Sequence, residues 1–289
     1  MRCGYVAVLG QPNAGKSSLV NFIVGEEVAI VSHRRQTTRN SILGIKTEKD
    51  FQIVFVDTPG IHHSQNKLDK FMMKNVRSAI AGADAILYLF DGTKPLEEEE
   101  SEYIDMLKSK NEHVFLVQTK ADKKQLKFDF DTYNISVKDG REVDRLLNDV
   151  VSVLPEREPI YDEDLYTDKS VSFLVKEKVR GFLLNNIDQE IPHGVAVVVE
   201  KFEELEDIVN IEIEIVCERE QHKGIIIGKG GSTLKKLGQE TRKYVEDLMQ
   251  KKCFVKLFVK VDKDWREKNT EKYGYWIVYF PLLMKTIIL

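Results

Sequence analysis

The octapeptide Gly10-Gln11-Pro12-Asn13-Ala14-Gly15-Lys16-Ser17 satisfies GxxxxGK[ST] at every fixed position. A short apolar run from Tyr5 to Leu9 precedes it, and Ser18, Leu19, Val20, Phe22 and Ile23 follow at helical spacing. The context is therefore strand, loop, helix. In that arrangement the loop amides and the helix N-terminus face one anion, the Lys16 ammonium reaches the outer phosphates of a nucleotide, and the Ser17 hydroxyl is left for Mg2+. The motif alone does not separate GTP from ATP.

Further motifs follow in order. After the first helix, the polar stretch 32–39, ending in Thr37, Thr38 and Arg39, reads as an exposed loop before Ile42 to Ile45. A strand over 51–56 then ends in Asp57-Thr58-Pro59-Gly60 at the carboxyl edge of the sheet, where ligands bind. Asp57 suits the Mg2+ shell, and the Gly60 N–H suits a γ-phosphate contact that hydrolysis would release. Apolar runs over 85–90 and 113–118, separated by helical patterns, predict two more strands and a mainly parallel, doubly wound, twisted sheet. Glu97 to Glu100 read as a solvated first helical turn without chemistry. The last strand runs into Thr119-Lys120-Ala121-Asp122. A carboxylate there can accept from N1–H and the 2-amino group of guanine, whereas adenine has a donor at neither position, so Asp122 would select guanine.

Length suits two domains of ordinary size in 289 residues, and 42% apolar content is that of a globular chain. Cys3, Cys217 and Cys253 form no CxxC pair and support neither a disulfide framework nor zinc, so a reducing cytosol is expected. Nothing near Met1 reads as a signal peptide. The net charge of −4 is unevenly divided: residues 223–272 carry 14 Lys and Arg against 7 Asp and Glu, leaving −11 for the remainder. A polyanion would find its positive charge near the C-terminus.

Two prolines, Pro155 and Pro159, and an acidic stretch place a linker at 155–169 between a first domain, 1–154, and a second, 170–275. The second reads as a helix over 171–183, strands over 195–199 and 211–216 joined by the charged segment 202–209, and then Ile227-Gly228-Lys229-Gly230-Gly231 between two helices. A GxxG turn lets backbone approach nucleotide phosphates. Alone it is equally a helix–helix turn; Lys235, Lys236, Arg242 and Lys243 at helical spacing and the closing strand 254–259 sharpen it.

With these motifs in sequence the chain resembles a translation-factor-class GTPase, and more narrowly the Era family, in QPNAGKSSLVN, SHRRQTTRNSILGI, VDTPGIH and the appended C-terminal domain. The resemblance implies an α/β P-loop GTPase domain followed by a smaller α+β unit similar to a type II KH domain. By position, Gly10 to Ser17 would bind the phosphates of GTP or GDP. Ser17, Thr38 and Asp57 would hold Mg2+, and the segment from Asp57 through Thr58, Pro59 and Gly60 to Ile61 would follow the γ-phosphate. Thr119, Lys120, Ala121 and Asp122 would read the base, with Ser136 and Val137 of an SAK-like segment beside it. Catalysis would rest on Lys16, Thr38, Gly60 and Asn13, the last seating K+; Ile61 offers no side chain to orient water. Thr119 departs from the family's usual Asn and resembles Rho-type GTPases. Single-stranded RNA would sit on Ile227, Gly228, Lys229, Gly230, Gly231, Lys235, Lys236 and Arg242. The family implies the 3′ region of 16S ribosomal RNA, assembly of the 30S subunit, a monomer and the cytoplasm.

The apolar tail 276–289 is too short for a bilayer span, which takes about 20 residues. It is expected to pack on the second domain, with a peripheral contact on the inner face of the membrane as the lesser reading. His62 and His63 are expected to be surface residues. Two rivals stay open from the residues: an ATP-dependent RNA-handling enzyme and a membrane-associated signalling GTPase.

Overall fold

Strand β1 (Arg2–Gly10) is apolar on both faces, and a strand of that composition belongs in the middle of a sheet covered on both sides. The computed structural model, which describes residues 1–32, 37–61, 67–187, 191–263 and Trp265, places it there. It pairs in parallel with β3 (Phe51–Asp57) on one side and β4 (Ala85–Asp91) on the other. The full order is β2-β3-β1-β4-β5-β6, with β5 (Val114–Thr119) and the short β6 (Tyr133–Asn134) parallel and β2 (Ile42–Thr47) antiparallel at the edge. Val6 and Val8 share one core with helices α1 (Lys16–Val24) and α4 (Val143–Val153). Ala7 and Leu9 share the opposite core with α2 (Lys67–Gly82) and α3 (Glu98–Lys110). Parallel pairing in this register brings the strand ends Gly10, Asp57, Asp91 and Thr119 to one edge.

The proline-bearing stretch after α4 has no helix of its own and is laid against the first sheet. Cys3 N–H donates to the Pro155 carbonyl at 2.9 Å and Ile45 N–H to that of Tyr166 at 2.9 Å. Gln52, buried on β3, accepts from the Ile160 and Tyr161 amides at 2.8 and 3.0 Å and donates to the Tyr161 carbonyl. Arg157 pairs with Asp84 at 2.6 Å.

Ser170 then caps α5 (Val171–Asn186), its hydroxyl accepting from Phe173 N–H. Strands β7 (Val195–Glu204) and β8 (Ile208–Cys217), helices α6 (Glu220–Ile227) and α7 (Ser232–Met249) and strand β9 (Lys252–Val261) follow in the expected order of helix, two strands, two helices and strand. The sheet runs β7-β8-β9, with β8 and β9 parallel. The charged segment 202–209, expected as a connection, lies largely within the β7–β8 hairpin. Its charged side chains find partners outside their own strand, Glu203 accepting from Asn210 across the hairpin at 3.3 Å and Glu204 pairing with Lys251 at 2.6 Å, so the charge does not interrupt the ladder.

The two sheets meet at a seam. Leu68 and Met72 of α2 pack on Ala196, Val216 and Trp265. Lys178 pairs with Glu27 at 3.0 Å, and a Cβ added to Gly181 would lie 3.2 Å from Ile30. No helix among the described residues is long and apolar enough to cross a membrane. His62, His63 and the tail 276–289 lie outside the described residues.

Candidate nucleotide cleft and nucleic-acid interface

Gly10 has φ 138°, and a Cβ on it would fall 2.0 Å from the Leu89 carbonyl oxygen, so only glycine lets β1 turn beside β4 into the loop. Asn13 (φ 65°) and Gly15 (φ 92°) complete the curve, and Ala14 N–H donates to the Gln11 carbonyl at 3.2 Å. Lys16 heads α1 with 6% of its surface exposed. Its ammonium donates to the carbonyls of Gly10 and Gln11 at 3.1 and 3.0 Å. Burial lowers its pKa to about 8, against a counter-pull from Asp57.

Ser17, Thr38 and Asp57, three residues from separate elements, converge. The Ser17 hydroxyl donates to Asp57 Oδ2 at 2.6 Å, the Thr38 hydroxyl to the same oxygen at 3.2 Å, and the two hydroxyls lie 3.1 Å apart. Burial raises the Asp57 pKa although both hydroxyls and Lys16 oppose it. Its other oxygen, Oδ1, is buried without a hydrogen-bond partner. Two hydroxyls and a carboxylate with an unsatisfied oxygen are hard donors of the kind Mg2+ takes, so the residues fit that ion. Thr58 donates to the Val8 carbonyl at 2.8 Å, tying the chain after β3 to β1. Beyond Pro59, a Cβ on Gly60 would lie 2.8 Å from Pro12 Cγ, and Ile61 N–H donates to the Gly10 carbonyl at 3.3 Å.

The segment expected to read the base lies beside the loop: a Cβ on Gly15 would sit 3.8 Å from Thr119 Cγ2. Thr119 donates to the Phe90 carbonyl at 3.0 Å. Lys120 (φ 63°) pairs with Asp91 at 2.5 Å. Burial would raise the Asp91 pKa, yet the Lys120 ammonium and Thr93 hold it low. Ala121 N–H donates to the Ile135 carbonyl at 3.0 Å, which brings Ser136 and Val137 alongside. The Lys138 ammonium lies 2.6 Å from Asp122 Oδ2, and this contact holds the Asp122 carboxyl below its usual range.

Lys138 as the partner of Asp122, and Arg141, which donates to the Ala121 carbonyl at 2.7 Å, were invisible from spacing. So was Arg39. It stands next to Thr38 but is 1% exposed, donates to the Val195 carbonyl of β7 at 2.7 Å, and lies 5.7 Å from the Trp265 ring centroid. A buried cation in a polar loop leaves no periodic trace.

At the second candidate site Gly228 (φ 78°) ends α6, and a Cβ there would lie 2.3 Å from the Thr233 hydroxyl. Gly230 (φ 59°) and Gly231 (φ 78°) have open space where a Cβ would stand. Lys229, Lys235 and Arg242 are exposed; Ile227 is half-buried behind the turn. Lys236 is drawn sideways to Asn186 at 3.1 Å and over the Phe182 ring. The exposed backbone and the basic helix start suit phosphates.

Residues 5–120 match the family of 50S ribosome-binding GTPases and residues 190–266 match the KH domain. The chain is 39% identical to GTPase Era of Alkaliphilus metalliredigens, over 93% of this chain and 96% of that one. It is 42% identical to GTPase Era of Caldanaerobacter subterraneus subsp. tengcongensis, over 95% and 98%. A crystal structure of an Aquifex aeolicus Era variant bound to GDP·AlF4− superposes with a TM-score of 0.89 at 32% identity, covering 95% of this chain and 99% of that one. An Era in complex with MgGDPNP and nucleotides 1506–1542 of 16S ribosomal RNA gives the same TM-score, identity and coverage. The chain belongs to the Era family of GTPases, a P-loop GTPase domain followed by a KH domain.

Proposed function

We propose that this chain hydrolyses GTP in the cleft at the carboxyl edge of the first sheet and passes the nucleotide state to a single strand of 16S ribosomal RNA held at the Gly228–Gly231 turn, acting as a cytoplasmic monomer in assembly of the 30S subunit. One observation carries the coupling. Thr38 rests on Ser17 and Asp57, while the next residue, Arg39, is buried against β7 of the second sheet. Any ligand that moves Thr38 must strain or release Arg39. The RNA is supported by the open glycine turn and by the 16S complex of the Era relative.

In this reading residues 1–154 form the GTPase domain, 155–169 a strapped linker and 170–275 the RNA-binding domain. Gly10 to Ser17 hold the phosphates, with Lys16 exchanging its carbonyl partners for phosphate oxygens. Thr119 to Asp122 with Ser136 and Val137 hold guanine. Ser17, Thr38 and Asp57 would hold Mg2+, which supplies positive charge against the phosphates when bound. Asn13 would help seat K+. Water attacks the γ-phosphorus and the bond from it to the oxygen of the β-phosphate breaks, releasing GDP and inorganic phosphate without a covalent intermediate, so the protein contributes position and charge. Gly60 packed on Pro12 keeps its N–H near the loop, and with Ile61 following it basal turnover is slow.

The test is a titration of the full chain with GDP, ADP and a short single-stranded RNA, in potassium and in sodium buffer. GDP raises the melting temperature and ADP does not; triphosphate and RNA strengthen each other's binding by one common factor. Hydrolysis is faster in potassium. Lys229→Asp with Gly230→Asp abolishes RNA binding, more strongly at low salt, and leaves the GDP shift intact. Equal responses to GDP and ADP, or loss of both ligands in the double variant, would overturn the reading; equal rates in the two buffers remove the K+ part alone.

A further inference from the structure

The two faces of the second sheet keep different company. Inward, Val255, Leu257 and Val259 of β9 join the core beneath α5 and α7. Outward, Ala196, Val198 and Val216 are covered by α2 and Trp265 at one end. Along β9 the outward residues are Lys252, Phe254, Lys256, Phe258 and Lys260, in strict alternation with the inward, buried and half-buried set. Phe254 and Phe258 are 52% and 51% exposed, the most exposed large apolar side chains among the described residues. A single exposed ring needs no explanation. Two rings on one face of one strand, with a lysine before, between and after them, form a pattern that packing does not require.

The arrangement has the two parts of a platform for an unpaired strand: aromatic faces on which bases stack, and cations along the backbone path. Four strand residues span about 13 Å, which is close to two steps of an unstacked strand whose stacked step is about 3.4 Å. Lys256 lies 5.8 Å from the Phe254 ring centroid and is held there by Glu212 at 2.9 Å. Lys260 leans on Glu214 at 3.5 Å. β9 thus sets three lysines against two glutamates of β8, and a phosphate can displace a carboxylate at each pair. β9 is also the edge strand, so nothing in the sheet stands between the helix side, where the glycine turn lies, and the outer face.

We propose that the outer face of β9 is a second contact surface for single-stranded RNA, with Phe254 and Phe258 as stacking rings and Lys252, Lys256 and Lys260 as phosphate contacts. It takes nucleotides that run past the glycine turn and over the sheet edge. The proposal rests on the RNA-binding reading given above. A GxxG turn grips about four nucleotides, whereas the Era relative is in complex with the longer stretch 1506–1542.

The full chain is titrated with two unstructured RNAs, about five and about twelve nucleotides long, by fluorescence anisotropy. Phe254→Ala with Phe258→Ala binds the short RNA within twofold of wild type and the long one at least tenfold more weakly, since each stacked base contributes on the order of 1–3 kcal/mol. Phe→Leu at both positions, which keeps apolar bulk and removes stacking, behaves like the alanine form. Phe→Trp at both retains affinity, and its fluorescence is quenched by the long RNA only. Equal binding of the long RNA by every form overturns the proposal, as does full retention in the leucine form. A parallel loss for the short RNA overturns it too, because the rings would then be acting through the turn. A change in self-association of the RNA-free chain would assign the face to a protein contact instead. Failure of wild type to bind the short RNA is a separate result, which breaks the RNA reading itself.

Discussion

In the reading proposed above, the nucleotide cleft and the glycine turn of the KH domain both take phosphates, yet they are prepared in opposite ways. The cleft is cross-linked by its own side chains: Ser17, Thr38 and Asp57 bond to one another, Lys16 bonds to the loop, and Asp122 is held by Lys138. Around Gly230 and Gly231 there is open space where a Cβ would stand, and Lys229 and Lys235 beside them are exposed. A site that must break a phosphoanhydride needs fixed dipoles and little water around the transferred group. A site that only holds a strand needs access and charge. On that reading the difference in burial is a difference in task.

That contrast can be broken with one methyl group. Gly10→Ala places a Cβ 2.0 Å from the Leu89 carbonyl at φ 138°, which the backbone of β1 and β4 cannot relieve. We expect nucleotide affinity to fall at least a hundredfold by calorimetry, with a melting temperature several degrees lower. Gly230→Ala meets open space and carries only the penalty of φ 59°, about 1 kcal/mol of stability. It should leave nucleotide affinity unchanged and weaken RNA severalfold. If the two alanines cost the same, the cleft is not the more tightly determined site.

The link between the regions is sharper still to test. Arg39→Ala removes a buried guanidinium that bonds to the Val195 carbonyl and lies by Trp265. We expect about 2–3 kcal/mol of lost stability in denaturant unfolding, the scale of a charged hydrogen bond and its orphaned partner. The factor by which RNA and triphosphate strengthen each other should fall toward one, while GDP binding stays within severalfold of wild type. Retained coupling in a destabilised variant would make Arg39 a packing residue only.

How much of this was legible in the sequence follows from the kind of signal each part leaves. The loop Gly10 to Ser17, Asp57 and Asp122 are set by spacing and backbone constraint, which survive in one dimension. So did the order of the second unit, because apolar period distinguishes its helices from its strands. Arg39 did not, since a buried arginine in a polar loop has the same letters as a solvated one, and only the partner surface of β7 and Trp265 reveals it. The charge of the 202–209 stretch suggests a connection, although strand residues whose side chains reach solvent accept it, as Glu203 does with Asn210 and Glu204 with Lys251. The outward run of β9 was visible as a strand, but its exposed face needed the sheet to be assembled.

A quieter comparison lies in two buried lysines, each brought down to about 8 by burial. Lys16 points at backbone carbonyls that a polyphosphate would replace. Lys176 sits on α5, where Glu177 pulls its pKa up while Arg180 and Arg39 push it further down, and no phosphate is called for. Because the folded value is depressed from 10.5, the folded chain binds fewer protons than the unfolded chain between about pH 8 and 10.5. Stability from this group therefore rises with pH across that window, and at neutral pH its buried charge is a cost. Lys176→Met should stabilise the chain at pH 7 by about 1–2 kcal/mol, within the roughly 3 kcal/mol that such a shift allows. The advantage should shrink as pH goes from 8 to 10, where wild type itself becomes neutral at this position. Urea unfolding of both chains at several pH values reads the difference directly, since titrating groups that Lys176 does not touch cancel. A gap that stays flat from pH 7 to 10 would mean that Lys176 keeps its proton throughout, and that the charges of the seam are better matched than those of the cleft.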